Sequence, residues 1–443
     1  LILSKRSASK DALTPPALGE CADWVGHSLA SHGCHVGGLG FRRRRPIAWN
    51  KRGLDMDTLN GIVQQPGQES VAELVSKYQR VALVLQGGGA LGAYQGGVYH
   101  ALSQAGCEPN WLSGVSIGAI NASIIAGNKP EDRLTRLQQF WDLVSGRKIW
   151  AYTPEGDYFR MLRNHTSAWM TMMMGQPGFF EPRLVGPWFH PPGSASALSY
   201  YESERLQETL RGLIDFDLLN SGKVRLTVGA VNVRSGNFIY FDNAKERIEP
   251  AHIMASGALP PALPAIKIAG ELYWDGGIVS NTPLQYLLEE HDSLSTLVFQ
   301  VDLFSARGSL PRDMRDVMGR HKDIMYSSRT RQNTDQFRRL HSLRRHLARA
   351  LAKIPQADRD EQEEKTLQEL SRMAAINIIH LIYQQKSYEG HAKDYEFSGT
   401  SMREHWETGY HDTRRTLRHP EWLAPTKNKD GVVVHDLHRD DDA

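Results

Sequence analysis

The sequence predicts an α/β protein: a central, mostly parallel sheet flanked by helices, continued by a helical C-terminal extension. Two short apolar runs, VALVLQ (81–86) and WLSGVS (111–116), are each followed at once by a glycine-bearing segment and a helical pattern. Strand-like segments return at KVRLTVGAV (223–231), NFIYFD (237–242) and STLVFQVDLF (295–304). After Gly308 the chain turns charged and helical through about residue 385.

Residues 1–68 mix Pro, Gly, Ser and Arg without periodicity and read as a poorly ordered basic arm. Patterning starts at Val71, where VAELVSKYQ suits a short helix. A catalytic domain is expected over 69–308. Its first unit is the 81–86 strand, the turn GGGALG (87–92) and a helix over Tyr94–Leu102 that stops near Gly106. Its second is the 111–116 strand and the small-residue helix IGAINASIIAG. Residues 151–200 carry Trp169, Met170, Met172, Met173, Met174, Phe179, Phe180, Trp188 and Phe189, broken by Gly and Pro. They fit an adaptable apolar insertion or lid as well as they fit ordinary core. Residues 309–443 read as a helical extension ending in a polar tail of lower order.

The bulk numbers exclude several classes. The chain has 443 residues, 40% hydrophobic and 23% charged, the balance of an ordinary globular protein. A formal net charge of +2 gives no nucleic-acid signal. Lys5, Arg6, Lys10, Arg42–Arg45, Lys51 and Arg52 face only Asp11, Glu20 and Asp23, and a second basic run, Arg338 to Lys353, holds no acidic residue. Such clusters suit an anionic membrane surface, or simply a solvated arm and helix face. Cys21, Cys34 and Cys107 lack metal-ligand spacing. No apolar stretch approaches the roughly 20 residues of a membrane-spanning helix, and no secretory signal is visible. The expectation is a cytoplasmic protein, peripheral at most to the inner face of a membrane, with no cofactor and no metal.

Three motifs carry chemistry. In Gly114-Val115-Ser116-Ile117-Gly118 a serine stands between strand and helix, on a turn that presents its hydroxyl outward. Alone, a glycine-edged turn explains the pentapeptide equally well. Gly87-Gly88-Gly89 follows a buried strand and leaves backbone N–H groups unobstructed, as an oxyanion formed in acyl transfer requires. The same residues fit G-x-G-x-x-G, the dinucleotide pattern, but the acidic residue at the required spacing, Glu108, precedes the second strand instead of ending it. Asp275-Gly276-Gly277, approached by Leu272, Tyr273 and Trp274, suits a carboxylate at a strand end or an ordinary turn aspartate.

The order of these motifs over about residues 80–305 resembles that of the patatin-like phospholipases, and ASGALPPALPAIKI (255–268) is similar to the family's Ala-Ser- and Pro-rich segment. The resemblance implies a serine lipid acyl hydrolase that cleaves ester bonds of phospholipids or other acyl lipids through a Ser-Asp dyad. Carried across, Ser116 matches the nucleophile, Asp275 the base, and Gly87, Gly88 and Gly89 the oxyanion loop. Gly114 and Gly118 flank the serine, and Gly276 and Gly277 turn the chain after the acid. One departure is Leu91, where the family loop often has Arg or Lys. The region around SGTSMREHWETGYHD (398–412) resembles an extension found in a bacterial subgroup. Two alternatives stay open: a Ser-Asp-His triad using a histidine such as His291 or His380, and a scaffold of the same fold without activity.

Overall fold

The computed structural model describes residues 69–146, 156–290, 294–355, 360–371, 376–425 and 431–436. The basic arm, residues 147–155, His291 and the last seven residues lie outside them. The described residues build one nine-stranded sheet with helices on both faces. Its strands are β1 (Arg80–Leu85), β2 (Trp111–Val115), β5 (Arg225–Asn232), β6 (Phe238–Asp242), β7 (Ile266–Ile268), β8 (Glu271–Asp275), β9 (Thr296–Asp302), β10 (Ile376–Ile382) and β11 (Val432–Asp436). The short β3 (Glu181–Pro182) and β4 (Tyr201–Glu202) pair separately. The order is β11-β10-β9-β1-β2-β5-β8-β7, with β6 also on β5. From β11 to β5 every pairing is parallel; the pairings of β5 with β6 and β8, and of β7 with β8, are antiparallel.

The central strands read as unbroken apolar runs because both faces are covered. Val81, Leu83 and Leu85 of β1 join the larger core, under the Ala93–Gln104, Ile117–Ala126 and Pro130–Val144 helices. Ala82 and Val84 point the other way, into a smaller core with Leu284, Leu287, Val298 and Ile378.

β5 fixes the geometry that matters. β2 runs along one edge of it as far as Val115 opposite Gly229, while β6 occupies the other edge from Thr227 to Val231. β8 must therefore share the β2 edge, and it takes over there at once, with Asp275 opposite Ala230. The residue after β2 and the last residue of β8 thus meet at one point on β5.

Two features differ from the sequence reading. The segment after Gly308 is not only helical, since INIIHLI (376–382) becomes β10 and pairs with β9 along its whole length. The segment read as a loose polar tail contains the Gly399–Thr416 helix and β11. That helix packs its Met402, Trp406 and Tyr410 side against the Ala93–Gln104 helix. The two backbones come so close that a methyl group at Gly97 would run into the carbonyl of Trp406, and one at Gly409 into that of Tyr94. Tyr94 then reaches Asp412 at 3.0 Å and Tyr410 reaches Gln104 at 2.7 Å.

This crossing gives a stability test. Gly97→Ala is expected to cost about 1–3 kcal/mol by overpacking, more than its helix propensity returns. Chemical or thermal unfolding reads the difference, and an unchanged or raised midpoint would contradict the close approach.

Candidate active site

Ser116 follows β2 directly and starts the Ile117–Ala126 helix, with φ 56° and ψ −126°. A positive φ is unfavourable for any residue with a Cβ. Surrounding contacts hold it. The Ser116 N–H donates to Ser256 Oγ at 2.9 Å, and Ser256 Oγ donates to the Gly229 carbonyl at 2.6 Å. The turn leaves no room at its shoulders: a Cβ at Gly114 would meet the Gly118 backbone, and one at Gly118 the carbonyl of Leu85.

Asp275, 2% exposed, faces this serine. The Gly277 N–H donates to its carboxylate at 2.7 Å, and the Ser116 side chain stands beside it, lining the same cavity. Burial pushes its pKa up from 3.8 to about 7, and the neighbouring Gly277 amide and Ser116 side chain offset only part of that cost. Gly276 sits against the Gly229 carbonyl with no space for a side chain and turns the chain away from the site.

The glycine loop completes the arrangement, but its three amides are not equivalent. Gly87 N–H already donates to the Asn281 carbonyl at 3.2 Å, while Asn281 Nδ2 donates back to the Gly87 carbonyl at 3.0 Å. Among the described residues no acceptor is recorded for the amides of Gly88 and Gly89. All three glycines line the cavity beside Ser116. Leu91, at the departure noted above, is fully buried in the core.

A cavity of about 280 Å³ opens over Ser116, Asp275 and Gly87–Gly89. Its walls are apolar: Met172, Phe179 and Phe180 from the 151–200 segment, Leu259 and Leu263 from the Pro-rich segment, and Phe304. Tyr326, Asp394, Tyr395 and Phe397 from the C-terminal region close it. Burial raises the Asp394 carboxyl, which Lys322 partners at 2.7 Å.

No histidine lines the cavity among the described residues. His380 lies elsewhere, bonded to Asp302 at 2.6 Å at the ends of β10 and β9, and His291 falls outside the described residues. Glu108 is engaged by Arg133, Tyr99 and Ser103. Cys107 is a buried free thiol. Among the described residues no His, Cys, Asp and Glu side chains gather as metal ligands would, and no helix is long and apolar enough to cross a membrane.

Motif reading missed Ser256, Asn281, Tyr326 and Asp394. Ser256 and Asn281 lie in segments already singled out, ASGALPP and DGGIVSNTP, as polar residues amid small ones. Nothing local marked Tyr326 or Asp394.

Comparison with known proteins agrees with the motif order. Residues 83–288 match the family described as patatin-like phospholipase, and residues 324–429 match one described as patatin phospholipase. No curated protein matches the chain. Among solved structures, VipD from Legionella pneumophila is similar at 17% identity and TM-score 0.35, over 81% of this chain and 72% of that one. Human GIVD cytosolic phospholipase A2, in complex with methyl gamma-linolenyl fluorophosphonate, is similar at 14% identity and TM-score 0.28. That match covers 55% of this chain and 43% of the human one. ExoU of Pseudomonas aeruginosa, solved with SpcU, is similar at 17% and 0.26, over 66% and 67%.

The raised Asp275 pKa has a consequence for stability. Between 3.8 and about 7 the folded protein keeps a proton that the unfolded chain has lost, so stability falls as pH rises through this window. The total is on the order of 4 kcal/mol. Asp275→Asn removes the penalty, so its advantage in Tm over the wild type is expected to be larger at pH 8 than at pH 5. A pH-independent difference would show that the carboxyl is not desolvated.

Proposed function

The chain belongs to the patatin-like phospholipases, lipid acyl hydrolases as a family, and on that footing we propose that it cleaves carboxylic esters of phospholipids or other acyl lipids with Ser116 as nucleophile and Asp275 as base. The observation that carries this reading is the juxtaposition, at adjacent residues of β5, of Ser116 with a carboxylate whose pKa burial has brought to about 7. At the usual value near 3.9 an aspartate is too weak a base to accept a serine proton; near 7 it is matched to the task.

Ser116 Oγ attacks the acyl carbon while its proton passes to Asp275. The carbonyl oxygen takes the negative charge, with the Gly88 and Gly89 amides and the start of the Ile117–Ala126 helix as its donors in this scheme. The tetrahedral intermediate collapses, the ester C–O bond breaks, and the alcohol or lysolipid leaves with the proton held by Asp275. Water then attacks the acyl-serine, Asp275 again taking the proton; the bond from the acyl carbon to Ser116 Oγ breaks, Asp275 returns the proton to Oγ, and the free acid departs. The apolar walls formed by Met172, Phe179, Phe180, Leu263 and Phe304 suit the hydrocarbon of an acyl chain and keep bulk water from the carboxylate. The 151–200 segment acts in this scheme as a wall of the acyl site.

Ser116→Ala and Asp275→Asn are each expected to lower kcat/KM on a chromogenic short-chain ester by on the order of 10³-fold or more. A fluorophosphonate should label wild-type Ser116, fluoride leaving as the Oγ–P bond forms. A folded Ser116→Ala protein that keeps its activity would overturn the assignment. Activity retained by Asp275→Asn but lost on replacing one histidine would establish the triad instead.

The base must be ionised to work. The rate on a soluble ester is therefore expected to rise with pH through about 7 and level off above it. A flat profile from pH 5 to 9 would count against Asp275 as the base.

A further inference from the structure

The Thr330–Leu351 helix faces the wrong way for one that merely covers a core. Its buried residues are Thr330, Thr334 and His341, whereas Leu340, Leu343 and Leu347 are exposed at 45%, 66% and 48%. Spacings of three and four residues put these leucines on one stripe, which Ala350 extends. Arg339, His346 and Lys353 follow one border of the stripe and Arg344 the other, and no acidic residue occurs from Gln336 to Pro355. The opposite side is tied down: Arg338 donates to the Val432 carbonyl of β11 at 3.2 Å, and Phe337 packs on the smaller core.

We propose that this face docks on an anionic lipid bilayer, with the helix lying in the plane of the interface. An apolar stripe bordered by cations is what such a surface selects: the leucines enter the acyl boundary and the basic residues meet lipid phosphates. Charge decides against a second copy of the chain as occupant, because two such faces would bring arginine against arginine. Three leucines are also too little surface for a stable dimer. Docking does not depend on the chemistry proposed for Ser116, so it is measured on a full chain that lacks that serine.

The test is co-sedimentation of full-length Ser116→Ala protein with vesicles of phosphatidylcholine alone, or carrying about one-third phosphatidylglycerol. Binding is expected to the anionic vesicles, to fall steeply with added salt, and to be weak on the neutral ones. In the same background, Leu343→Ser/Leu347→Ser and Arg339→Glu/Arg344→Glu/Lys353→Glu should each lower partitioning about tenfold or more. With Ser116 restored, both sets should keep wild-type Tm and wild-type turnover of a soluble ester, which separates lost docking from misfolding. The inference is overturned if both helix variants bind like the parent while replacement of Arg42–Arg45 abolishes binding. It is equally overturned if binding ignores lipid charge, or if the leucine variants change oligomeric state and not vesicle binding.

Discussion

The site depends on one shared strand edge. β2 and β8 meet end to end along the same side of β5, so that Val115 stands opposite Gly229 and Asp275 opposite the next residue, Ala230. Backbone ladders are stiff, and their register is set by many hydrogen bonds at once. The serine and the aspartate are therefore juxtaposed by the sheet and not by flexible loops. Ser256, which bonds to the Ser116 N–H and to the Gly229 carbonyl, locks the turn to the same strand at the same residue.

That placement is costly, and the costs have a chemical use. Ser116 holds a positive φ and Asp275 a carboxylate nearly removed from water. Both are unfavourable alone, and both are sustained by the buried strands around them. The strained turn presents the hydroxyl outward at the start of a helix. The buried carboxylate, with the Gly277 amide and the Ser116 side chain in place of a solvent shell, holds its proton more tightly than an aspartate in water. The stability lost in ionising it is the same free energy that raises its affinity for a proton.

Much of the fold was legible because local pattern and burial agree. VALVLQ lacks alternation since β1 is covered on both faces, and GGGALGAYQ and GVSIGA announce sharp turns into helices with small residues. What stayed hidden depends on distant partners. INIIHLI has the same apolar signature as VALVLQ, but the charged helices around it mask it. The Gly399–Thr416 helix buries His405, Trp406 and Tyr410 and not an aliphatic stripe, so its composition reads as a polar tail. The glycine triplet was visible as a loop of bare amides. Which amides remain available was not, since Gly87 is occupied by the backbone of Asn281, nearly 200 residues on. Serine and aspartate could each be picked out by motif; their contact could not, because it is a property of β5.

Two aspartates at strand ends show how environment separates their roles. Asp302, closing β9, is surrounded by His380, Ser328, Gln300 and Thr282. It is held in a polar network and lines a separate, more polar cavity. Asp275, closing β8, has a backbone amide, a serine hydroxyl and an apolar cavity. A carboxylate whose main surroundings are hydrocarbon gains by taking a proton, and the hydroxyl that shares the Asp275 cavity is that of Ser116. The C-terminal region sharpens this contrast, supplying His380 to one aspartate and Tyr326, Tyr395 and Phe397 to the walls around the other. It is continuous with the sheet through β10 and β11, and the dry side of the cavity over Ser116 is built partly from it.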